Sequence, residues 1–147
     1  MRRRKSREFA LQILFSLENQ DEHALNEIQA QAAVNTYLES FAPRNLEEVS
    51  DVPYLQRLMA GILSDVNALD EELEKYSEHW KLYRMTKIDR NILRIGAEEL
   101  KSFKDIPSRV TIDECVELAK RFGTDDSSAF VNGILDKLRS ALGRNDD

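Results

Sequence analysis

Apolar residues recur at every third or fourth position along most of the chain, which is the period of an amphipathic α-helix. The first such segment places Phe9, Ile13, Leu14 and Leu17 on one face and fades at residues 19–21. No segment shows the strict alternation that is typical of a half-buried strand. The pattern predicts an all-α fold, arranged as two small helical bundles that share one core.

Proline residues and polar segments divide the first half of the chain. A second helix is predicted from about residue 22 to 41 and ends before Pro43, because a residue that precedes proline disfavours the α region. Residues 44–52 are polar and predict a loop. Pro53 suits the first turn of the next helix, whose apolar face continues to Leu73.

The next predicted helix begins after a break at residues 77–83. Thr86 and Asp89 form a capping-box-like start, and the helix runs to about Ser102. Advancing 100° per residue places four basic side chains on one stripe, interrupted by Glu98: Lys87, Arg90, Arg94 and Lys101. Asp89 falls on the opposite, apolar face, so it serves either as a capping residue or as a contact for a protein partner.

The last two helices are marked by polar caps and a glycine. Thr111 and Glu114 predict a capping box, and Gly123 suits the left-handed position after that helix ends. Residues 124–127 offer caps for the last helix. We favour capping over metal binding for the adjacent carboxylates of Asp125 and Asp126.

The last helix carries an aromatic residue off its apolar face. Asp126, Phe130, Gly133 and Lys137 form a stripe that flanks the apolar residues. An aromatic ring beside a small residue and a cation can stack an unpaired base. The alternative, which periodicity favours slightly, is that Phe130 covers a neighbouring helix.

The composition of the 147 residues is that of a single globular domain, with 41% hydrophobic and 33% charged side chains. No apolar run approaches the roughly 20 residues of a membrane span. No apolar segment follows the basic start, so we predict neither a membrane partner nor a secretory signal, and a cytoplasmic location. The single cysteine, Cys115, lies on an apolar face and is predicted to be core.

Positive charge is concentrated at the start of a chain whose net charge is −6. Five of its 21 basic residues stand among the first seven positions: Arg2, Arg3, Arg4, Lys5 and Arg7. Such a cluster attracts a polyanion such as nucleic-acid phosphate, or it only keeps the first helix in solution. Glycine-rich phosphate loops, nucleophile elbows and paired metal-ligating histidines are missing, so we predict no catalytic residue, cofactor or metal.

Ordered motifs in the second half resemble the NusB family of transcription antitermination factors. The resemblance is strong over residues 84–138 and recognisable over 2–18, with a variable middle. It is carried by residues 88–100 (IDRNILRIGAEEL), 106–107 (IP), 110–114 (VTIDE), 116–123 (VELAKRFG), 126–127 (DS) and 130–136 (FVNGILD).

The resemblance implies two three-helix subdomains, here a basic arm at 1–7, an N-terminal subdomain at about 8–78 and a C-terminal one at about 79–143. It implies binding to single-stranded boxA RNA of nascent ribosomal transcripts, together with the tenth small-subunit ribosomal protein. Other antitermination factors and RNA polymerase would be indirect partners. The implied RNA-facing residues are Arg2, Arg3, Arg4, Lys5, Arg7, Tyr76, Arg94, Asp126, Phe130 and Lys137.

In this resemblance Asp89 falls where the family has an acidic residue facing the ribosomal protein. The same domain also occurs fused to ribosomal-RNA methyltransferases, for whose catalytic domain this chain has no room. Two other functions remain open on the residues alone, namely a DNA-binding helical protein and a protein–protein scaffold.

Overall fold

The computed structural model describes residues 2–20, 32, 35, 36, 38, 39, 45–78, 80–144 and 146. Its helices are α1 (Arg2–Gln20), α2 (Leu46–Val49), α3 (Val52–Ser64), α4 (Val66–Glu74), α5 (Lys87–Ser102), α6 (Ser108–Phe122) and α7 (Ser127–Ala141), with a 3₁₀ turn at Leu82–Arg84. The described residues contain no strand, so the all-α prediction is confirmed. The chain divides into two compact units, Met1–Val66 and Asn67–Asp147.

The first unit is built on α1, which packs against α3. The predicted apolar face of α1 is buried, with Leu14 fully enclosed. Because α1 begins at Arg2, the basic residues predicted as an arm form the start of this helix instead. Most of the predicted helix at 22–41 lies outside the described residues. The few residues of this range that the structure describes are helical.

Two boundaries in this part of the chain differ from the prediction. The predicted loop at 44–52 contains the short helix α2. The helix predicted from Pro53 to Leu73 is two helices, interrupted at Asp65, where φ is −157° and ψ is 75°. The start of α3 is fixed by Asp51, whose carboxylate accepts a 3.1 Å hydrogen bond from Tyr54 N.

The second unit packs α5, α6 and α7 against one another. The predicted cap of α5 is confirmed, because Thr86 Oγ1 accepts a 3.1 Å hydrogen bond from Asp89 N. A Cβ added at Gly96 of α5 would lie 2.6 Å from Leu135 Cδ1, so the absence of a side chain permits the close approach of α7.

The predicted ends of α6 need two corrections. The helix begins at Ser108 rather than at Thr111, whose buried hydroxyl donates a 2.9 Å hydrogen bond to Glu99 Oε1 on α5. Gly123 follows the helix as predicted, but with φ of −94° rather than in the left-handed region. Glycine is required there by space, because a Cβ would lie 2.5 Å from Ser127 Oγ.

Residues after α7 hold the loop between α5 and α6. The guanidinium of Arg144 is buried and donates to the carbonyl oxygens of Leu100 and Ile106 at 2.8 and 2.7 Å. It also pairs with Asp146 at 2.6 Å, and this hydrogen bond holds the pKa of the Asp146 carboxyl well below its usual range. Asp146 in turn accepts from Ser108 N, so the start of α6 is tied to the residues that follow α7.

Candidate nucleic-acid interface

A cleft of about 240 Å³ lies in the second unit between the segment 76–80 and α7. Three aromatic rings line it, those of Tyr76, Trp80 and Phe130. Glu78 and Lys137 line it as well, and their side chains form a 3.2 Å ion pair that is exposed to solvent. The cleft therefore offers flat apolar rings together with one cation.

The predicted stripe on α7 reaches this cleft in part. Phe130, Gly133 and Lys137 line it, and the Phe130 ring is half-buried. A Cβ added at Gly133 would meet no heavy atom within 4 Å, so open space adjoins the helix at this position. Tyr76, which the family resemblance adds, contributes from the other segment.

Asp126 lies at the N-cap of α7 and is exposed, but its side chain makes no capping hydrogen bond. The local bond runs instead from Thr124 N to Ser127 Oγ at 2.9 Å. The predicted capping role of Asp126 is therefore wrong. Among the described residues no group of three or more His, Cys, Asp or Glu side chains could hold a metal ion.

Arg94 is buried rather than part of an exposed basic stripe. Its guanidinium forms two 2.8 Å hydrogen bonds with the carboxylate of Asp70 on α4 and a third with Asn91 Oδ1. Arg90 is buried too, with Nη1 3.4 Å from the carbonyl oxygens of Tyr83 and Met85. The four basic residues of the stripe therefore do not share one exposed surface, since tertiary ion pairing takes Arg94 out of solvent.

Asp89 combines an accessible position with an unsatisfied atom. The residue is half-buried at the start of α5, and its Oδ1 is buried without a hydrogen-bond partner in the described structure. A buried acceptor that lacks a donor lowers stability by roughly 1–3 kcal/mol. The unsatisfied oxygen faces the fold, while the residue as a whole is half-buried.

The cationic start of α1 belongs to the first unit. Four of its five basic side chains are exposed, namely those of Arg2, Arg3, Arg4 and Lys5. Arg7 is only 2% exposed and its guanidinium lies 5.3 Å from the centre of the Tyr54 ring. These cations lie at the N-terminus of α1, which is the positive end of the helix dipole, and charge of their sign is unfavourable there. The first turn of α1 contains no acidic residue.

Some of these cations already contact the turn before α3. Arg2 donates to the carbonyl oxygens of Glu47 and Ser50 at 2.7 and 3.2 Å. Arg3 lies 3.4 Å from the carboxylate of Asp51. These exposed contacts stabilise little, so an external phosphate can compete for the same groups.

The comparisons with known proteins decide the family. Residues 4–140 match the model of the NusB family. The chain belongs to the NusB family. A Transcription antitermination protein NusB of Desulfitobacterium hafniense is 41% identical over 147 residues, which is all of this chain and 94% of the relative. The one of Myxococcus xanthus is 39% identical, covering 97% of each chain.

A solved structure agrees with the family assignment. The NusB of T. maritima superposes with a TM-score of 0.78 at 34% identity, over 95% of this chain and 92% of that one. The chain is therefore related along nearly its whole length to transcription antitermination factors of all-helical fold. None of its described helices is long and apolar enough to cross a membrane.

Among the ring-bearing and charged residues that line the cleft, reasoning from the sequence missed Glu78 and Trp80. Both lie in the segment that the helical pattern marks only as a break, because irregular backbone has no periodicity from which a face can be read. The available signal was Trp80 itself, the single tryptophan of the chain, placed in a polar segment where no core position explains it.

Proposed function

We propose that this chain is an RNA-binding antitermination adaptor that binds the single-stranded boxA element of nascent ribosomal transcripts. The observation that carries the proposal is the cleft, in which Tyr76, Trp80 and Phe130 surround open space beside Lys137. RNA sequences are usually read from unpaired bases stacked on aromatic side chains. Each stacked base contributes about 1–3 kcal/mol.

The cationic start of α1 supplies attraction that does not depend on sequence. Arg2, Arg3, Arg4 and Lys5 are exposed at the start of α1, although Arg3 pairs with Asp51 at 3.4 Å and Lys5 with Glu8 at 3.2 Å. Phosphates placed there release condensed counterions and neutralise these charges. Affinity and base recognition thus come from different units of the chain.

A protein partner completes the adaptor in this proposal. The tenth small-subunit ribosomal protein would contact Asp89, which is half-buried at the start of α5. The joint complex then acts on RNA polymerase elongation through the other antitermination factors. We ascribe no catalytic step to the chain, so RNA incubated with it remains intact.

A titration of labelled boxA RNA, with and without the ribosomal protein, tests the function. We expect tighter binding to boxA than to scrambled RNA, weaker binding to duplex DNA at matched salt, and a further increase when the ribosomal protein is present. Preference for the duplex would indicate a DNA-binding protein. Absence of RNA binding under both conditions would indicate a scaffold and refute the proposal.

The variant Asp89→Asn tests the protein-partner surface separately. It removes the charge while keeping much of the shape of the side chain. Affinity for the ribosomal protein should fall and RNA binding by the isolated chain should persist. If only the melting temperature falls and partner affinity is unchanged, Asp89 acts solely within the fold.

A further inference from the structure

Trp80 is exposed, and hydrogen bonds are formed at its own carbonyl and at the N–H of Leu82. Its side chain is 51% accessible to solvent, although it lines the cleft. The Trp80 carbonyl oxygen accepts a 2.7 Å hydrogen bond from Ser77 Oγ, and Leu82 N donates to Glu74 Oε1 at 3.0 Å. The largest side chain of the protein is therefore presented to solvent beside local hydrogen bonds of its backbone.

The surroundings of Trp80 suit a flat ring. Phe130 offers a second aromatic ring from α7, and Gly133 leaves the adjoining space open. Lys137 provides a cation at the same cleft, within reach of a phosphate attached to whatever occupies it. A nucleotide has both a flat ring and a phosphate, whereas an aromatic side chain of a protein has only the ring.

We propose that Trp80 is a base-stacking residue and that the cleft holds one unpaired RNA base against the Trp80 and Phe130 rings. This inference rests on the proposed RNA-binding function and assigns a specific site and occupant to it. Lys137 exchanges its partner on binding, from the carboxylate of Glu78 to the phosphate of the bound nucleotide. The exchange is inexpensive because the pair is exposed, at 50% and 69% of the two side chains.

The chain reports on this site without a label, because Trp80 is its only tryptophan. Titration of the full-length protein with single-stranded boxA RNA should quench tryptophan emission, saturating at the RNA concentration at which anisotropy of a labelled RNA saturates. Trp80→Ala should weaken binding about tenfold, within the range for one stacked base. Trp80→Phe should retain most of the affinity because it keeps a ring.

Tyr83→Ala is the matched control. Tyr83 is 71% exposed three residues further along and does not line the cleft, so its removal should leave RNA affinity unchanged. Removing single bases from the RNA in turn identifies the occupant, since Trp80→Ala should have no further effect on the oligonucleotide that lacks the stacked base. All variants should melt within a few degrees of the parent chain, because neither ring is buried.

The outcomes separate this site from the function on which it rests. If the parent chain binds boxA RNA while emission is constant and Trp80→Ala binds equally well, the stacking site is refuted and the RNA-binding function stands. If emission responds only to the ribosomal protein, Trp80 is a protein contact and the proposal is refuted. If the parent chain binds no RNA, both proposals fail.

Discussion

The start of α1 and the cleft beside α7 present different chemistry to a nucleic acid. At α1 four exposed cations crowd a helix end, and the nearby Tyr54 ring is buried beneath Arg3 and Arg7. In the cleft three rings line the cavity with a single cation, Lys137, already paired with a carboxylate. Charge dominates the first region, and the surface of aromatic rings dominates the second.

The difference suggests how an acidic chain could bind RNA and still discriminate among sequences. Phosphate contacts are alike for every sequence, so in the proposed function the cations of α1 would raise affinity for all RNA. Rings that accept a base select unpaired over paired bases, and hydrogen bonds to the edge of the stacked base distinguish one base from another. The following variants are arranged from the largest expected effect to the smallest.

Neutralising the exposed cations at the start of α1 removes the region in which charge dominates. Replacing Arg2, Arg3, Arg4 and Lys5 by Ala should lower the log–log salt slope by up to about 2.8, at roughly 0.7 per phosphate contact on a single strand. At 0.1 M salt this corresponds to up to about 600-fold in affinity, equally for boxA and scrambled RNA. Arg7 is omitted because it is buried.

The matched control for this variant changes the same charge elsewhere. Four exposed cations outside the cleft are replaced by Ala, namely Lys101, Lys104, Arg109 and Lys120. We expect a much smaller change of the salt slope. Equal slopes for the two variants would mean that only net charge matters and that α1 is not an RNA contact.

Arg94 is paired with Asp70 within the fold, so its substitution tests stability and RNA contact separately. Arg94→Ala leaves the Asp70 carboxylate without its partner and should lower the free energy of unfolding by about 2 kcal/mol, less than for a fully buried pair because the Asp70 side chain is 21% exposed. Asp70→Asn should lower the melting temperature as well, and the double variant should be less than additive. An RNA affinity that falls in Arg94→Ala but not in Asp70→Asn would instead indicate direct contact.

Phe130→Ala tests the other side of the contrast. Loss of the ring should cost about 1–3 kcal/mol in RNA binding and reduce the preference for boxA over scrambled RNA, with little change in the salt slope. Phe122→Ala is the control, since Phe122 is 40% exposed at the end of α6 and does not line the cleft. A large fall in melting temperature with boxA preference unchanged would mean that Phe130 is core.

Gly133→Ala should have the smallest effect, but the expected directions of its changes in stability and in RNA affinity are clearly opposed. Its Cβ meets no atom of the fold, so the variant should be more stable by about 0.4–1 kcal/mol. The same methyl group narrows the cleft, so RNA affinity should fall while the melting temperature rises. Gly96→Ala is the contrasting case, because its Cβ would lie 2.6 Å from Leu135 Cδ1 and should destabilise the unit.

Local signals predicted the helices wherever local interactions determine them. The apolar face of α1 and the Thr86 cap of α5 depend on residues within four positions of one another, and both were predicted correctly. The break at Asp65 was missed because the spacing of Ile62, Val66 and Leu69 continues a helical period across it. A hydrophobic pattern cannot reveal an interruption that preserves its phase.

Long-range contacts account for the other errors. Arg94 is buried because Asp70, 24 residues earlier, receives it, and Thr111 caps no helix because it donates to Glu99 on α5. A helical wheel shows one helix at a time, so it includes neither Asp70 as the partner of Arg94 nor Glu99 as the partner of Thr111. Phe130 and Lys137 were found from their place off the apolar face, whereas Trp80 and Glu78 could be added only once the fold brought residues 76–80 to α7.

The hydrogen bonds of Arg144 and Asp146 have a consequence for synthesis of the chain. Arg144 and Asp146 follow α7, yet their bonds fix the loop and the helix start at Leu100, Ile106 and Ser108. Since a chain emerges from the ribosome in order, α5 and α6 are available long before the residues that tie them together. The second unit therefore reaches its final hydrogen bonding only after translation has passed residue 146, and a product terminated at Gly143 would contain every described helix but leave this junction unlocked.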